Sequence, residues 1–313
     1  MNFNFDFTKK NKIYFSISGA IILIGIISLF VFGLNLGIDF ISGSRIEISI
    51  EKTFNENDVT DLLGEVEVKA KEEGIENINL TPSSITTAGD KNDIAVVRFD
   101  TTLDSGVLPI IKEVFRTEYG DQVELNESKV NPTIGRETAK NALYAVLVAS
   151  IGIIIYVTVR FEYRFAIAAV IALLHDAFFV ITIFSILNIE VDMTFIAAIL
   201  TIVGYSINDT IVIFDRIREN LKTAKLKRKE DLEEVVNRSL NQTLVRSINT
   251  TLTVLIAALA LYILGGEGIK NFSFALLLGL FIGAYSSIFI ASQIWLVWKI
   301  RGFKKNELKL KSE

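Results

Sequence analysis

The chain has 313 residues, half of them hydrophobic, with a formal net charge of −4 and a mean hydropathy of +0.44. That is too apolar for an ordinary soluble domain and predicts a polytopic membrane protein. No cysteine is present, which excludes disulfides, thiolate catalysis and cysteine-based metal sites. The first apolar run, 13–34, has roughly 22 residues, exceeds a secretory h-region and is followed by no A-x-A-like cleavage site, so it reads as an uncleaved membrane anchor.

Residues 35–140 are too long and too polar for a loop. They carry 21 Asp or Glu against 11 Lys or Arg, an acidity that reads as solubility and makes nucleic acid a poor partner. "RIEISIE" alternates as a strand does, and "NENDVTDLLGEVEVKAKEEG" begins with capping residues and ends at Gly74. "INLTPSSITT" and "DIAVVRFD" read as two strands joined by "AGDKN". "GVLPIIKEVFRTEYG" is a second amphipathic helix and "QVELNESKV" a last strand. The order β-α-β-β-α-β predicts a ferredoxin-like domain, a fold that says little about function.

Five further runs are long enough to span: 142–159, 165–187, 193–214, about 245–264, and 272–298. The expected fold is therefore a polytopic α-helical membrane protein of six transmembrane helices, with one α+β ferredoxin-like extracytoplasmic domain between helices 1 and 2. Residues 1–34 form the N-terminus and helix 1, 35–140 the domain, 141–298 helices 2–6 with a cytoplasmic loop at 215–241, and 299–313 a basic tail. With a cytoplasmic N-terminus, the inside segments 1–12, 160–164, 215–241 and 299–313 hold 19 Lys or Arg, while the short outside loops "NIEVD" and "GGEGIKN" hold only Lys270. The positive-inside rule thus sets both termini in the cytoplasm.

Within "GYSINDTIVIFDRIREN" lies a carboxylate that length arithmetic puts in the bilayer. From Thr194 to Ile207 a helix rises only about 21 Å, short of the roughly 30 Å hydrocarbon core. It must continue past Asn208 and Asp209 to Phe214, so both residues sit inside the span. An acid there costs on the order of 3 kcal/mol, which a counter-charge or a proton would reduce. Arg246 falls at or just inside the cytoplasmic edge of span five. Two readings stand: Arg246 pairs with Asp209, or it snorkels to the headgroups while Asp209 pins helices together. Gln242, Arg246, Asn249, Thr250 and Thr253 share one face of span five, and Thr201, Tyr205 and Asp209 one face of span four, so two polar stripes are expected to face each other along a hydrated path. Side chains lean toward their helix N-terminus, so Asp209 and Arg246 lean apart and direct contact would need a conformational change or a water. His175 and Asp176, in "ALLHDAFF", lie near the middle of span three. The lone histidine has too few partners for a metal site; it either handles protons or hydrogen-bonds a neighbouring helix.

"LNLGIDFISGSRIEI", "VNPTIGRETAKNA", "RFEYRFAIAAVIALLHD", "GYSINDTIVIFDRIREN" and "QTLVRSINTTLT" resemble, in order and over the whole chain, the SecD/SecF family of protein-export membrane proteins, on its SecF side. That family is similar to the proton-driven RND exporters. The resemblance implies work with a SecD partner and the SecYEG translocon on exported preproteins in the bacterial cell membrane, driven by the proton motive force without a cofactor. It also implies that Asp209, Arg246 and Thr250 serve proton passage, with Asn208 and Asn249 beside them, and that His175 and Asp176 match the family's "HD" pair. Gly37, Asp39 and Gly43 match its glycine-and-aspartate turn after helix 1. The chain departs at Ser42, where members commonly show a second glycine.

The alternative is an RND-type proton-coupled exporter of a small molecule or lipid, which uses the same membrane physics but usually has twelve spans and two large outside domains. An intramembrane aspartyl protease would use Asp176 and Asp209 as a pair, but "SINDT" lacks the G-x-G-D context of that class. A scaffold with polar residues only as helix glue is a further reading.

Overall fold

The computed structural model describes residues 5–75, 78–89, 91–226 and 228–310, with side chains described as far as 302. Residues 1–4 and the last three of the basic tail lie outside the described residues, as does Asp90 of the expected "AGDKN" connection. In chain order the helices are α1 (Asn11–Val31), α2 (Ile38–Ile41), α3 (Glu56–Glu72), α4 (Val107–Tyr119), α5 (Pro132–Arg160), α6 (Tyr163–Ile186), α7 (Met193–Thr223), α8 (Lys229–Leu264), α9 (Lys270–Ser286) and α10 (Ser292–Leu310). The strands are β1 (Gly43–Ser49), β2 (Ser84–Ala88), β3 (Ile94–Phe99) and β4 (Glu124–Val130). The chain divides into two compact units, one comprising Leu36–Tyr144 with Gly266–Gly268, the other the remainder.

The first unit is a four-stranded antiparallel sheet in the order β2-β3-β1-β4, the ferredoxin-like arrangement. Alternation along β1 turns Ile46 and Ile48 inward against Val97 and Ala95 of β3, and all four are fully buried. Over that face lie Val59, Leu62, Leu63, Val66 and Ala70 of α3 and Val107, Ile110, Ile111, Val114 and Phe115 of α4, each set at helical spacing. Asn55 caps α3 by accepting the Asn57 amide at 3.3 Å. The strand expected to begin at 78 instead begins at Ser84, because Asn79 accepts the Thr81 amide at 2.9 Å and bends the chain, and Pro82 has no N–H to give a ladder.

The glycine-and-aspartate turn sits at the start of this sheet. Asp39 is in the first turn of α2, and the Ser42 amide closes that helix on Ile38 O at 2.9 Å. Ser42 then takes φ 71°, ψ 168°, a region that costs an L-residue about 1–3 kcal/mol. Gly43 follows at φ 133°, where a Cβ would lie 2.1 Å from Phe99 O. Ser42 thus carries the backbone strain of this turn.

The second unit holds long apolar helices. Six are long and apolar enough to cross a bilayer: Asn11–Val31, Pro132–Arg160, Tyr163–Ile186, Met193–Thr223, Lys229–Leu264 and the composite Glu267–Gly302. This is a multi-pass membrane protein. The sixth was expected as one uninterrupted helix, but residues Ser287–Ala291 form a π-helical segment between α9 and α10. Of the loop expected at 215–241, residues 215–223 continue α7 and residues 229–241 begin α8. Pairs three residues apart extend α7 into the polar sequence, Arg218 to Asp215 and Arg216 to Glu219, both at 2.7 Å. Asn220 ties α7 to α8 through Ser239 at 2.8 Å and Gln242 at 2.9 Å.

Small residues let the spans approach closely, as packing in lipid requires. Ala168, Ala169 and Ala172 of α6 are fully buried, and Phe165 stacks on Trp295 with centroids 4.5 Å apart. A Cβ on Gly279 of α9 would sit 2.2 Å from Ile202 Cδ1 of α7, and one on Gly283 would sit 3.2 Å from Ser206 Cβ.

Two outcomes follow for the full chain in detergent. Ser42→Gly should relieve strain and stabilise by about 1 kcal/mol, net of the added unfolded-state entropy, seen as a raised thermal midpoint. Gly279→Ala should destabilise by about 1–3 kcal/mol through overpacking, with Ile202→Ala in the same chain recovering part of the loss.

Candidate functional site

Asp209 lies on the buried face of α7 and is 8% exposed. Its Oδ1 accepts a hydrogen bond from Ser247 Oγ of α8 at 2.7 Å. Its Oδ2 is buried and has no hydrogen-bond partner among the described residues. The group that reaches it is therefore Ser247 and not its neighbour Arg246. One residue along a helix turns the side chain by about 100°, and that turn puts Ser247 inward with Arg246 exposed. No ion pair joins Asp209 and Arg246 among the described residues.

Of the two expected stripes, Tyr205 and Thr250 are joined directly, while most of the other members are exposed. Gln242, Arg246, Asn249, Thr250 and Thr253 are exposed on α8, as are Thr201 and Asn208 on α7. Tyr205 bridges the helices by donating to the Thr250 carbonyl at 2.9 Å, and the Thr250 hydroxyl donates to Arg246 O at 2.9 Å. Ser239, Thr243, Ser247 and Thr251 line the buried side of α8 instead. Gly37, Asp39 and Gly43 belong to the sheet unit.

Asp176 of α6 is fully buried and well satisfied. Its Oδ2 accepts from Ser206 Oγ of α7 at 2.6 Å and from Ser286 Oγ of α9 at 2.7 Å, and its Oδ1 lies 3.3 Å from His175 Nδ1. One carboxylate thus gathers three helices, a use of polar groups common between membrane spans. His175 Nε2 is buried with no hydrogen-bond partner among the described residues, and the residue lines a groove of about 480 Å³ between α1, α6 and the sixth span. Next to Ser286, Thr210 and Ser287 share a hydrogen bond of 2.8 Å at the first residue of the π segment. Asp209, Tyr205 and Ser206 line a cavity of about 10 Å³ with Gly279, Gly283 and Thr251.

Ser206, Thr210, Ser247, Ser286 and Ser287 were missed by sequence reasoning. Serine in an apolar run gives little hydropathy signal, and only the run "YSSIFIASQ" hints at hydroxyls gathered in the last span. Among the described residues, no group of three or more His, Asp or Glu converges as metal ligands.

Residues 110–301 match the family described as "Protein export membrane protein SecD/SecF, C-terminal", and residues 27–53 match "SecD/SecF GG Motif". The chain is 52% identical over 301 residues to the Protein translocase subunit SecDF of Bacillus subtilis, covering 96% of this chain and 39% of that one. It is 45% identical over 302 residues to the Protein translocase subunit SecF of Alicyclobacillus acidocaldarius, covering 96% of this chain and 95% of that one. It also superposes on the crystal structure of SecDF from Thermus thermophilus, a translocon-associated membrane protein, with a TM-score of 0.81 at 33% identity, covering 95% of this chain and 39% of that one. The chain thus spans about two-fifths of the SecDF proteins and nearly the whole of the SecF protein. With the family matched through all but the first of its six apolar helices and the Asp209 and Asp176 clusters within the matched residues, this chain belongs to the SecD/SecF family of protein export membrane proteins, on its SecF side.

Proposed function

We propose that this chain is the SecF half of a proton-driven device that draws preproteins outward through the SecYEG channel, acting with a SecD half in the bacterial cell membrane. The observation that carries this reading is the state of Asp209: a carboxyl inside a membrane span, held by one serine, with its second oxygen unpartnered. A purely structural acid would be satisfied on both oxygens. An incompletely solvated one exchanges a proton at modest cost, because neither protonation state is locked by its surroundings.

A second support is the exposed polar face of α8. Arg246, Asn249, Thr250 and Thr253 cannot be left against lipid without a penalty of several kcal/mol, so another polypeptide or a hydrated cleft must cover them. A SecD half fits that place. Arg246 then acts across the cleft, and reaches Asp209 only when α7 and α8 repack. The cycle follows. Protonation of Asp209 removes its charge and weakens the hold of Ser247; deprotonation restores both. Passage of one charge through the membrane releases about 2.3 kcal/mol per 100 mV, a bias of roughly fiftyfold on a two-state equilibrium. The sheet unit, joined to the membrane helices at both of its ends, moves with the repacking and handles the emerging chain on the outer side. The 19 Lys or Arg on the other side keep both termini in the cytoplasm, and no cofactor takes part.

In vesicles holding this chain with SecD and the channel, Asp209→Asn should abolish the proton-motive-force-dependent late stage of export while the protein remains inserted. Wild-type export by that variant would remove the core of the reading, and proton-coupled efflux of a lipophilic dye without any export would favour the small-molecule exporter. Arg246→Lys should keep partial activity, since it retains charge but loses the planar fork. Because the chain has no cysteine, Asn249→Cys supplies a unique thiol that should cross-link to the SecD half. A lipid-exposed thiol with no protein adduct would place the partner elsewhere.

A further inference from the structure

Proton exchange at Asp209 leaves a second buried carboxyl, Asp176, without a task. The two are joined by more than proximity. Asp209 is 8% exposed, and its Oδ2 is buried and unpartnered. It lines a cavity of about 10 Å³, close to the smallest space that holds one water. Ser206, one turn earlier on α7, lines the same cavity, and its hydroxyl donates to Asp176 Oδ2 at 2.6 Å. Gly283 keeps the passage open: a Cβ there would lie 3.3 Å from Ser206 Oγ and 3.7 Å from Asp176 Oδ2.

Resting on the proton-exchange reading of Asp209, we propose that Asp176 and Asp209 form one coupled site, in which a single water seated in this cavity bridges Asp209 Oδ2 to Ser206 Oγ and carries a proton between the carboxyls. In the transfer the Asp209 O–H bond breaks as the water takes that hydrogen. The water passes one of its own to Ser206 Oγ, and Ser206 passes its hydroxyl hydrogen to Asp176 Oδ2. Water and serine end unchanged in composition, Asp209 ends as a carboxylate and Asp176 as an acid. Oδ2 can receive the hydrogen because Ser286 has a second acceptor, Gly283 O at 3.2 Å, to which its hydroxyl can turn. That turn occurs at the residue before the π segment, a kind of irregularity that often marks a site of movement. The other titratable groups facing the pair are His175, 3.3 Å from Asp176 Oδ1, Tyr205 on the cavity wall, and Tyr285, whose ring centroid is 6.3 Å from that of His175. Arg246 faces outward and takes no part in this transfer.

The test uses the full chain with its SecD half in proteoliposomes, read by pH-difference infrared spectra of the carboxylic-acid band and by the rate of proton-driven export. Asp176→Asn should move the midpoint at which the Asp209 band disappears by about one pH unit, as for interacting titrations. Ser206→Ala should slow the proton-driven stage roughly tenfold or more, and Ser206→Thr, which keeps the hydroxyl, should restore it. If Asp176 is only a tie between helices, Asp176→Asn lowers the amount of folded protein and leaves the Asp209 midpoint unmoved; that result overturns the coupling. Should Asp176→Asn fail to insert, the pair Ser206→Ala and Ser206→Thr decides, and equal rates in the two overturn it. An Asp209→Asn variant that still exports defeats the proton reading of Asp209 itself, whereas an inactive Asp209→Asn beside an unmoved midpoint defeats the coupling alone.

Discussion

A carboxyl group in hydrocarbon costs several kcal/mol unless hydrogen bonds, a counter-charge or a proton offset it, and the centre of the membrane bundle is arranged around two such groups. Asp176 meets the constraint by hydrogen bonds: two serines from two other helices converge on one oxygen, and His175 lies beside the other. Asp209 meets it only in part, through Ser247. The bundle thus holds a satisfied and a half-satisfied carboxyl on neighbouring helices.

That constraint propagates into the backbone. For serines on α7 and α9 to reach one carboxylate on α6, the helices must come close, and Gly279 and Gly283 permit it where any side chain would meet Ile202 or Ser206. The π segment Ser287–Ala291 follows at once, shifting the register of the sixth span so that Ser286 and Ser287 both point inward, toward Asp176 and Thr210. Polar satisfaction, small residues and helix irregularity are thus three expressions of one requirement. On the outer side of α8 the same requirement is unmet within the chain, since Arg246, Asn249 and Thr250 are exposed there.

The sheet unit obeys different physics. It has its own apolar core under α3 and α4. Ser42, at positive φ, lies in the turn that opens the sheet, beside a glycine whose missing Cβ lets β1 run against the Phe99 carbonyl. A serine can hold that conformation because the Ile38 carbonyl and the neighbouring strand fix the backbone on both sides.

From the sequence alone came the membrane class, the six spans, and the strand and helix order of the polar unit, because length, hydropathy and periodicity are local quantities that survive without knowledge of neighbours. The partner of Asp209 was not local. Serine and arginine at 247 and 246 differ by one step along α8, and only the rotation of that helix against α7 decides which turns inward. The same holds for Ser206 and Ser286, which carry no hydropathy signal and acquire meaning from the carboxylate they share, and for the π segment, whose shift is dictated by contacts with α6 and α7. Where a side chain lies along the bilayer normal is written in the chain; what it touches across the bundle depends on helix rotation and approach, and those are set by packing of the whole.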